Sequence, residues 1–211
     1  MNGRVLTIAQ QKGGAGKTML AANLAAALAV AGAKVAALDI DPQRSLSRWG
    51  TIRAGRARPV AAISIADSAG WRLAAELQRL RAAFDVVVID SPPQIDTESR
   101  QAVRAADLVL IPVQPSPPDL WAAEGTLTLA AAEKRAIRLV LNRAPATSKL
   151  RSAIEAEIAA RELTVLPTVL GNRAAYANAF AAGLGVVEAA PRSLAAAEIL
   201  ALLGDVRALL G

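Results

Sequence analysis

The sequence predicts a single α/β domain over residues 1–211, with a mostly parallel central sheet and helices on both of its faces. Hydrophobic residues make up 54% of the 211 residues, which is enough for one core. Apolar runs of strand length alternate with helix-like segments, and no linker divides the chain in two. Residues 85–90 form a continuous, largely β-branched run ending in an acid. Strands that are apolar on both faces are typical of buried parallel sheets.

The predicted elements follow from the length and period of the apolar runs. Short runs predict strands at residues 5–9, 34–39, 59–66, 85–90, 108–113, 137–141 and 163–169. Helical periodicity predicts helices at residues 19–31, 71–83, 99–106, 148–162, 172–182 and 193–210, with two more beginning near residues 44 and 119. The last helix is strongly apolar, and we expect it to pack against the sheet rather than anchor the chain to a membrane.

A glycine-rich turn joins the first predicted strand to the first predicted helix. Residues 11–18 are Gln-Lys-Gly-Gly-Ala-Gly-Lys-Thr. The N–H groups of such a turn point into one concavity at a helix N-terminus, where the amides and the helix dipole favour a phosphate chain. Lys17 is placed to reach terminal phosphates, and Thr18 to bind Mg²⁺ through its hydroxyl. The predicted fold class is therefore a single-domain P-loop NTPase.

The loop departs from the general phosphate-binding pattern in one position. That pattern requires glycine at position 11, where this chain has Gln11, and a second lysine follows as Lys12. The alternative interpretation is a surface turn that happens to be rich in glycine and lysine. The order of strand, loop, Lys-Thr and helix favours phosphate binding.

Acidic residues end two of the predicted strands. Asp39 and Asp41 are separated by one residue, so an extended backbone places both on one side. Such a pair near a phosphate loop suits a metal ion or a water nucleophile, whereas the alternative is that it caps the next turn. Asp90 ends the run at residues 85–90, where it would orient Mg²⁺ or its water shell, with structural capping again the alternative.

Composition excludes several chemistries. The chain has no cysteine and no histidine, which rules out disulfides, thiolate nucleophiles, imidazole bases and the usual zinc sites. Catalysis must use carboxylates, lysines, backbone amides and a hard metal ion. The net charge of +6 favours a polyanionic partner such as nucleic acid or an anionic membrane surface, without distinguishing them.

Three further segments are candidates for contacts. Residues 44–58 are rich in arginine, which indicates a solvated face, a DNA contact or a dimer contact. The proline-rich segment at residues 112–121 predicts a stiff loop on the ligand side of the sheet, serving as a lid support or a subunit contact. Asn142 ends a strand, where an amide either contacts a base edge or simply belongs to a turn.

Together these motifs resemble the ParA/MinD group of deviant P-loop ATPases. Its loop, Lys-Gly-Gly-x-Gly-Lys-Thr/Ser, is matched in full by residues 12–18. The resemblance continues through residues 39–43, 90–93, 115–117 and 173–188, and so spans nearly the whole chain. The short length and the pattern Asp-Pro-Gln-x-Ser-Leu-x-x-Trp at residues 41–49 look most like the small plasmid partition proteins of the ParF type.

The resemblance implies a site for ATP and Mg²⁺. Lys12 would reach across a dimer into the nucleotide of the partner subunit, and Asp41 would position the attacking water. The implied nucleotide-binding residues are Gly13, Gly14, Ala15, Gly16, Lys17, Thr18, Met19 and Asn142, the last contacting adenine. The implied metal-site residues are Thr18, Asp39 and Asp90, and the implied catalytic residues are Lys12, Lys17 and Asp41.

The resemblance also implies a function. ATP-bound homodimers would bind nucleoid DNA without sequence preference, in the cytoplasm and without membrane insertion. Slow hydrolysis, stimulated by a partner protein, would segregate plasmid or chromosome DNA or position another cargo. The alternatives are a biosynthetic enzyme of the dethiobiotin-synthetase kind and a MinD-like membrane-associated ATPase, while a nitrogenase iron-protein type would need cysteines that this chain lacks.

Overall fold

The computed structural model describes residues 3–58, 60–68, 72–94, 96–146 and 148–211. The strands are β1 (Arg4–Ile8), β2 (Val35–Asp39), β3 (Ile63–Asp67), β4 (Val86–Asp90), β5 (Leu108–Val113) and β6 (Ala136–Leu141). The helices are α1 (Lys17–Val30), α2 (Ser45–Ala54), α3 (Leu73–Ala83), α4 (Thr97–Ala105), α5 (Pro117–Ala132), α6 (Lys149–Ala160), α7 (Ala174–Ala181), α8 (Val186–Ala189) and α9 (Leu194–Leu210).

Within the described part of the chain, the strands form one six-stranded sheet in the order β3-β2-β4-β1-β5-β6. Every neighbouring pair in this sheet is parallel. Helices α1, α2, α7, α8 and α9 share a core with one face of the sheet, while α3, α4, α5 and α6 cover the other face. The predicted α/β fold with a parallel sheet between helices is therefore confirmed.

The prediction of a strand at residues 163–169 is wrong. This segment lies beside β6 and exchanges hydrogen bonds with Leu139, whose N–H donates to Thr164 O and whose carbonyl accepts from Leu166 N. With the rest of the described chain it forms a single isolated bridge, between Leu139 and Val165, and no continuous ladder. After Leu166 the register against β6 changes: the N–H of Thr168 donates to Asp205 Oδ2 instead of to β6, and the next N–H to reach β6 is that of Leu170, which donates to Leu141 O.

Helix boundaries differ from the predictions by a few residues. The helix predicted near residue 119 begins at Pro117, because Ser116 caps it by accepting a hydrogen bond from Asp119 N. The helix predicted from residue 172 begins at Ala174. Pro59 and Trp71, where a strand and a helix were predicted to start, lie outside the described residues, and the described parts form β3 and α3.

The arginine-rich segment at residues 44–58 is not entirely a solvated face. Arg53 is buried and makes two hydrogen bonds of 2.8 and 2.6 Å to the carboxylate of Glu188. Its guanidinium also lies over the ring of Trp49, which is stacked on Phe180. These contacts fix α2 against α7 and α8.

The closing helix α9 packs as predicted. Its inner face contributes Ile199, Leu202, Leu203 and Val206 to the core shared with α1 and the sheet. Of the helices in the described residues, none combines the length and the apolar character that crossing a bilayer requires.

Candidate functional site

Parallel pairing brings the predicted site residues to one edge of the sheet. Asp90 at the end of β4 is in register with Ile8 of β1 on one side and with Asp39 of β2 on the other. The glycine-rich loop leaves β1 at that same end, and α1 begins at Lys17. The loop and the two acids therefore meet at the carboxyl edge of the sheet, where open α/β sheets bind ligands.

The geometry of the loop depends on glycine at defined positions. Gly14 and Gly16 have φ angles of 78° and 94°, in the left-handed region that favours glycine. A Cβ added at Gly16 would lie 2.4 Å from Asn142 Nδ2. At Gly13 and Gly14 an added Cβ would meet no described atom within 4 Å. This open space beside the loop leaves room for the predicted phosphate chain.

Lys17 and Asp90 are buried titratable groups that influence each other's pKa and are incompletely hydrogen-bonded. The Lys17 side chain donates a hydrogen bond of 3.4 Å to Lys12 O, and burial lowers its pKa against the opposing influence of Asp90 and Asp41. Both carboxylate oxygens of Asp90 are buried without a hydrogen-bond partner among the described residues. Burial raises the pKa of Asp90 to about 7. The nearby Thr18 hydroxyl lowers this pKa in part, although it forms no hydrogen bond of normal geometry with the carboxylate.

Asp39 and Asp41 have different surroundings. Asp39 Oδ2 accepts hydrogen bonds from the N–H and the hydroxyl of Ser47, at 2.8 and 2.9 Å, and its Oδ1 accepts from Asp41 N. Asp39 therefore orders the turn into α2, as the capping alternative predicts, and its metal role stays a prediction. Asp41 accepts one hydrogen bond from Gln43 N and lines the cavity beside the loop.

Two cavities adjoin at the loop. One, of about 370 Å³, is lined by Gly13, Lys17, Thr18 and Asp41 together with Gln43 and Arg143. The other, of about 400 Å³, extends past Asn142 toward α7 and α9. Gly16, Met19 and Arg143 line both of them. The first cavity has the lysine and backbone groups that phosphates need, and the second is mixed in polarity and suits a base and sugar.

Asn142 contacts the loop directly. Its Nδ2 donates to Ala15 O at 2.8 Å, and its Oδ1 accepts from Arg143 N at 3.0 Å. The side chain thus holds the phosphate loop in place, while its predicted contact with adenine stays a prediction. Arg143, whose position directly after a strand end was the available sequence signal, had no predicted role although it lines both cavities.

Lys12 lies at the mouth of the loop. Its ammonium forms an ion pair with the carboxylate of Asp119 in the same chain, and the side chain of Asp119 is only 2% exposed against 38% for Lys12. Ser116 also donates a hydrogen bond of 2.6 Å to that carboxylate. Sequence reasoning missed Asp119, since only the fold brings the start of α5 to the loop.

The proline-rich segment also contacts the loop. Gln10 Nε2 donates to Pro112 O at 3.4 Å and to Asp119 O at 3.3 Å, while Gln114 Nε2 donates to Gly14 O at 3.4 Å. These bonds connect both ends of the loop region to the connection between β5 and α5. The prediction that this segment lies on the ligand side of the sheet is therefore confirmed.

The site fits Mg²⁺ bound together with a nucleotide. Asp90 presents unpartnered buried carboxylate oxygens beside Lys17 and Thr18. No group of three or more acidic side chains within the described ranges could hold a metal ion without help. Mg²⁺ usually binds through one or two carboxylates, several waters and substrate phosphates, so this donor set suits a nucleotide-borne ion.

Comparison with known proteins defines the family. The CobQ/CobB/MinD/ParA nucleotide binding domain matches residues 6–186. The chain belongs to this family. It is a ParA/MinD-type P-loop ATPase, and the predicted resemblance to that group is confirmed.

The chain is similar to relatives named for carboxysome distribution and for chromosome partitioning. The maintenance of carboxysome distribution protein A of Halothiobacillus neapolitanus is 33% identical over 208 residues, covering 95% of both chains. The chromosome partitioning protein ParA of Myxococcus xanthus is 32% identical over 148 residues, covering 53% of this chain and 52% of that protein. The solved structure of apo McdA from Cyanothece superposes with a TM-score of 0.79 at 22% identity over 99% of both chains, which shows the shared fold.

We expect Gly13→Ala to weaken ATP binding by about tenfold or more, because the added methyl group would occupy the space that the phosphates need. The fold should tolerate the methyl group, since no described atom lies within 4 Å of it. Isothermal titration calorimetry with ATP and Mg²⁺ measures the affinity, and thermal unfolding reports the fold.

Gly204→Ala is the matched control, because its Cβ also meets no described atom within 4 Å but it lies on α9, away from the loop. It should bind ATP as the unmodified chain does. Unchanged affinity in Gly13→Ala would contradict a phosphate site above the loop.

Proposed function

We propose that this chain is a nucleotide-dependent positioning ATPase whose ATP-bound form is a homodimer on nonspecific DNA. The observation that carries the proposal is the position of Lys12 at the mouth of a phosphate loop whose other end holds the buried Lys17, near Asp90 and Thr18. A self-contained nucleotide pocket needs one lysine at the phosphates, and this loop has two, at its opposite ends.

The chain's own groups are suited to ATP hydrolysis. Phosphoryl transfer depends on positioning and charge stabilisation, and needs no histidine or cysteine. Lys17 and the loop N–H groups would hold the phosphates, and Asp41, which lines the same cavity, would orient the attacking water. Bound Mg²⁺ would supply positive charge to the phosphate oxygens, with Thr18 and Asp90 nearest to hold it and Asp39 ordering the adjacent turn.

Lys12 gives the proposal its dependence on a second subunit. In this chain its ammonium is paired with Asp119, and Lys12 is not among the residues that line the phosphate cavity, so it would have to leave this acid to reach the phosphates of a partner. Two such lysines would stabilise a dimer while the γ-phosphate is present. Hydrolysis would remove that phosphate and release the subunits, which couples assembly to the chemical step.

The positive net charge of the chain supports DNA as its proposed partner. A chain with a net charge of +6 is attracted to any phosphate backbone, and this attraction does not depend on base sequence. The homologous ParA of Myxococcus xanthus is named for chromosome partitioning. We propose that the dimer, with two basic subunits, binds nucleoid DNA in the cytoplasm and that the single subunit binds it weakly.

The cargo is proposed from the relative that matches over nearly the whole length. That relative is named for carboxysome distribution, so we extend the proposed cargo beyond plasmid or chromosome DNA to a large intracellular assembly. A partner protein carried by this cargo would stimulate slow intrinsic hydrolysis. Dissociation of the ATPase near the cargo would then leave a gradient of bound ATPase that moves it.

Lys12→Ala should abolish ATP-induced dimerisation while changing ATP affinity by no more than about threefold, because Lys12 serves the partner's nucleotide and not its own. Size-exclusion chromatography with light scattering, in ATP and in ADP, measures the assembly. Lys34→Ala removes the same charge just before β2, on the opposite edge of the sheet, and should leave the dimer intact. A Lys12→Ala variant that still dimerises would refute the cross-subunit role.

Asp41→Ala should slow hydrolysis by about 100-fold or more, because the attacking water loses its orienting carboxylate. The variant should therefore remain bound to DNA in ATP for much longer than the unmodified chain. Filter binding to unrelated DNA duplexes, with phosphate release measured in parallel, tests both parts. Asp85→Ala, which removes an acid at the opposite edge of the sheet, is the control and should hydrolyse ATP normally.

Vesicles of anionic lipid provide the competing partner in the same assay. ATP-dependent binding to DNA and none to vesicles supports the proposal. ATP-dependent binding to vesicles with none to DNA would replace it with a membrane-associated ATPase, and rapid phosphate release by Asp41→Ala would refute the role of that residue.

A further inference from the structure

The 400 Å³ cavity has one wall that lies opposite the residues of α1 lining it. This wall consists of residues 170–174 and of Tyr176 on α7. An isolated bridge between Ala144 and Gly171 joins these residues to the segment just after β6. Leu170 N donates to Leu141 O, and Asn172 N donates to Ala144 O. These bonds fix the side of the wall that faces β6. The opposite side must be held by other contacts.

Those contacts converge on one carboxylate. Glu198 on α9 accepts hydrogen bonds from Gly171 N at 3.1 Å, from Arg173 Nε at 3.0 Å and from the Tyr176 hydroxyl at 2.8 Å. Its side chain is 18% exposed. Glu198 does not itself line the cavity, whereas Gly171, Arg173 and Tyr176 all do.

The donors keep this carboxylate charged. Burial alone would raise the pKa of Glu198, but the hydrogen bonds from Arg173, Tyr176 and Gly171 outweigh it and lower the pKa below its usual range. Hydrogen bonds to an ionised acceptor are shorter and stronger than those between neutral groups. A Cβ at Gly171 would lie 2.9 Å from Arg173 Nε, so the guanidinium packs closely over the backbone that it helps to fix.

We propose that Glu198 is a positioning residue that sets the shape of the base-binding cavity and thereby the preference for ATP over other nucleotides. The inference rests on the proposed function only in taking ATP as the ligand. Glu198 acts through Gly171, Arg173 and Tyr176, and reaches no part of the phosphate cavity. Its loss should therefore affect recognition of the base and leave recognition of the phosphates unchanged.

A purely structural role for Glu198 would have different consequences. It would lower stability and weaken the binding of every ligand together, without changing the ratio between them. Asp205 provides the matched control, because it lies on the same helix and accepts a hydrogen bond of 3.2 Å from the N–H of Thr168, in the segment that precedes the wall. Thr168 is not among the residues that line the cavity.

The test measures the affinity of four chains for ATP, GTP and inorganic tripolyphosphate, each with Mg²⁺, by calorimetry. Glu198→Ala should weaken ATP binding by about tenfold, reduce the ratio between ATP and GTP affinities, and change tripolyphosphate affinity by less than about twofold. Glu198→Gln keeps one acceptor oxygen and should show an intermediate loss. Asp205→Ala should behave as the unmodified chain does.

Equal losses for ATP and tripolyphosphate, or an unchanged ratio between ATP and GTP, would overturn the inference. If Glu198→Ala does not fold, the comparison is made with Glu198→Gln and Tyr176→Phe, the second of which removes a single bond to the carboxylate. A chain that fails to bind ATP even without substitution would refute the proposed function. A chain that binds ATP equally well with and without Glu198 would refute only its positioning role.

Discussion

The parallel register of β2, β4 and β1 is the constraint on which the site depends. Because Asp39, Asp90 and Ile8 are in register, the two carboxylates and the glycine-rich loop that follows Ile8 lie at the same edge of the sheet. The sheet core is apolar on both faces, so the buried Lys17 and Asp90 have little water to solvate them. Burial leaves the oxygens of Asp90 without hydrogen-bond partners among the described residues and lowers the pKa of Lys17, so the charged forms of both groups are destabilised. Binding of a magnesium nucleotide would offset this electrostatic penalty.

A second layer of contacts holds the loop in position. Asn142 binds the carbonyl of Ala15 from one side, while Gln10 and Asp119 connect the loop to α5 from the other. The 400 Å³ cavity, which we propose to hold the base, has a comparable support in Glu198, which accepts hydrogen bonds from residues of its wall. Both supports come from elements far along the chain, so the shapes of the two cavities depend on the packing of the C-terminal half against α1 and the sheet.

Local patterns were sufficient to predict most strands, the loop and the acids, since apolar runs that end in Asp39 or Asp90 carry their structural meaning within a few residues. The failures came from long-range contacts. For the arginine-rich segment at residues 44–58 the sequence indicated a solvated face, a DNA contact or a dimer contact, whereas Arg53 is buried against Glu188, 135 residues away in the same chain. The pairing of Lys12 with Asp119 spans 107 residues and has no signal in either local sequence. At residues 163–169 the apolar pattern did favour a strand, but the register against β6 changes between Leu166 and Leu170, so no continuous ladder forms.

The central claim is that ATP joins two copies of this chain, because Lys12 lies at the mouth of the pocket, is paired with Asp119 and does not line the phosphate cavity of its own chain. Sedimentation velocity of the unmodified chain in the presence of Mg²⁺ with a slowly hydrolysed ATP analogue, and separately with ADP, measures this directly. A shared pocket predicts a species of twice the 21.8 kDa chain mass with the analogue and the single chain with ADP. A single chain in both nucleotides, at concentrations that saturate binding, would contradict it.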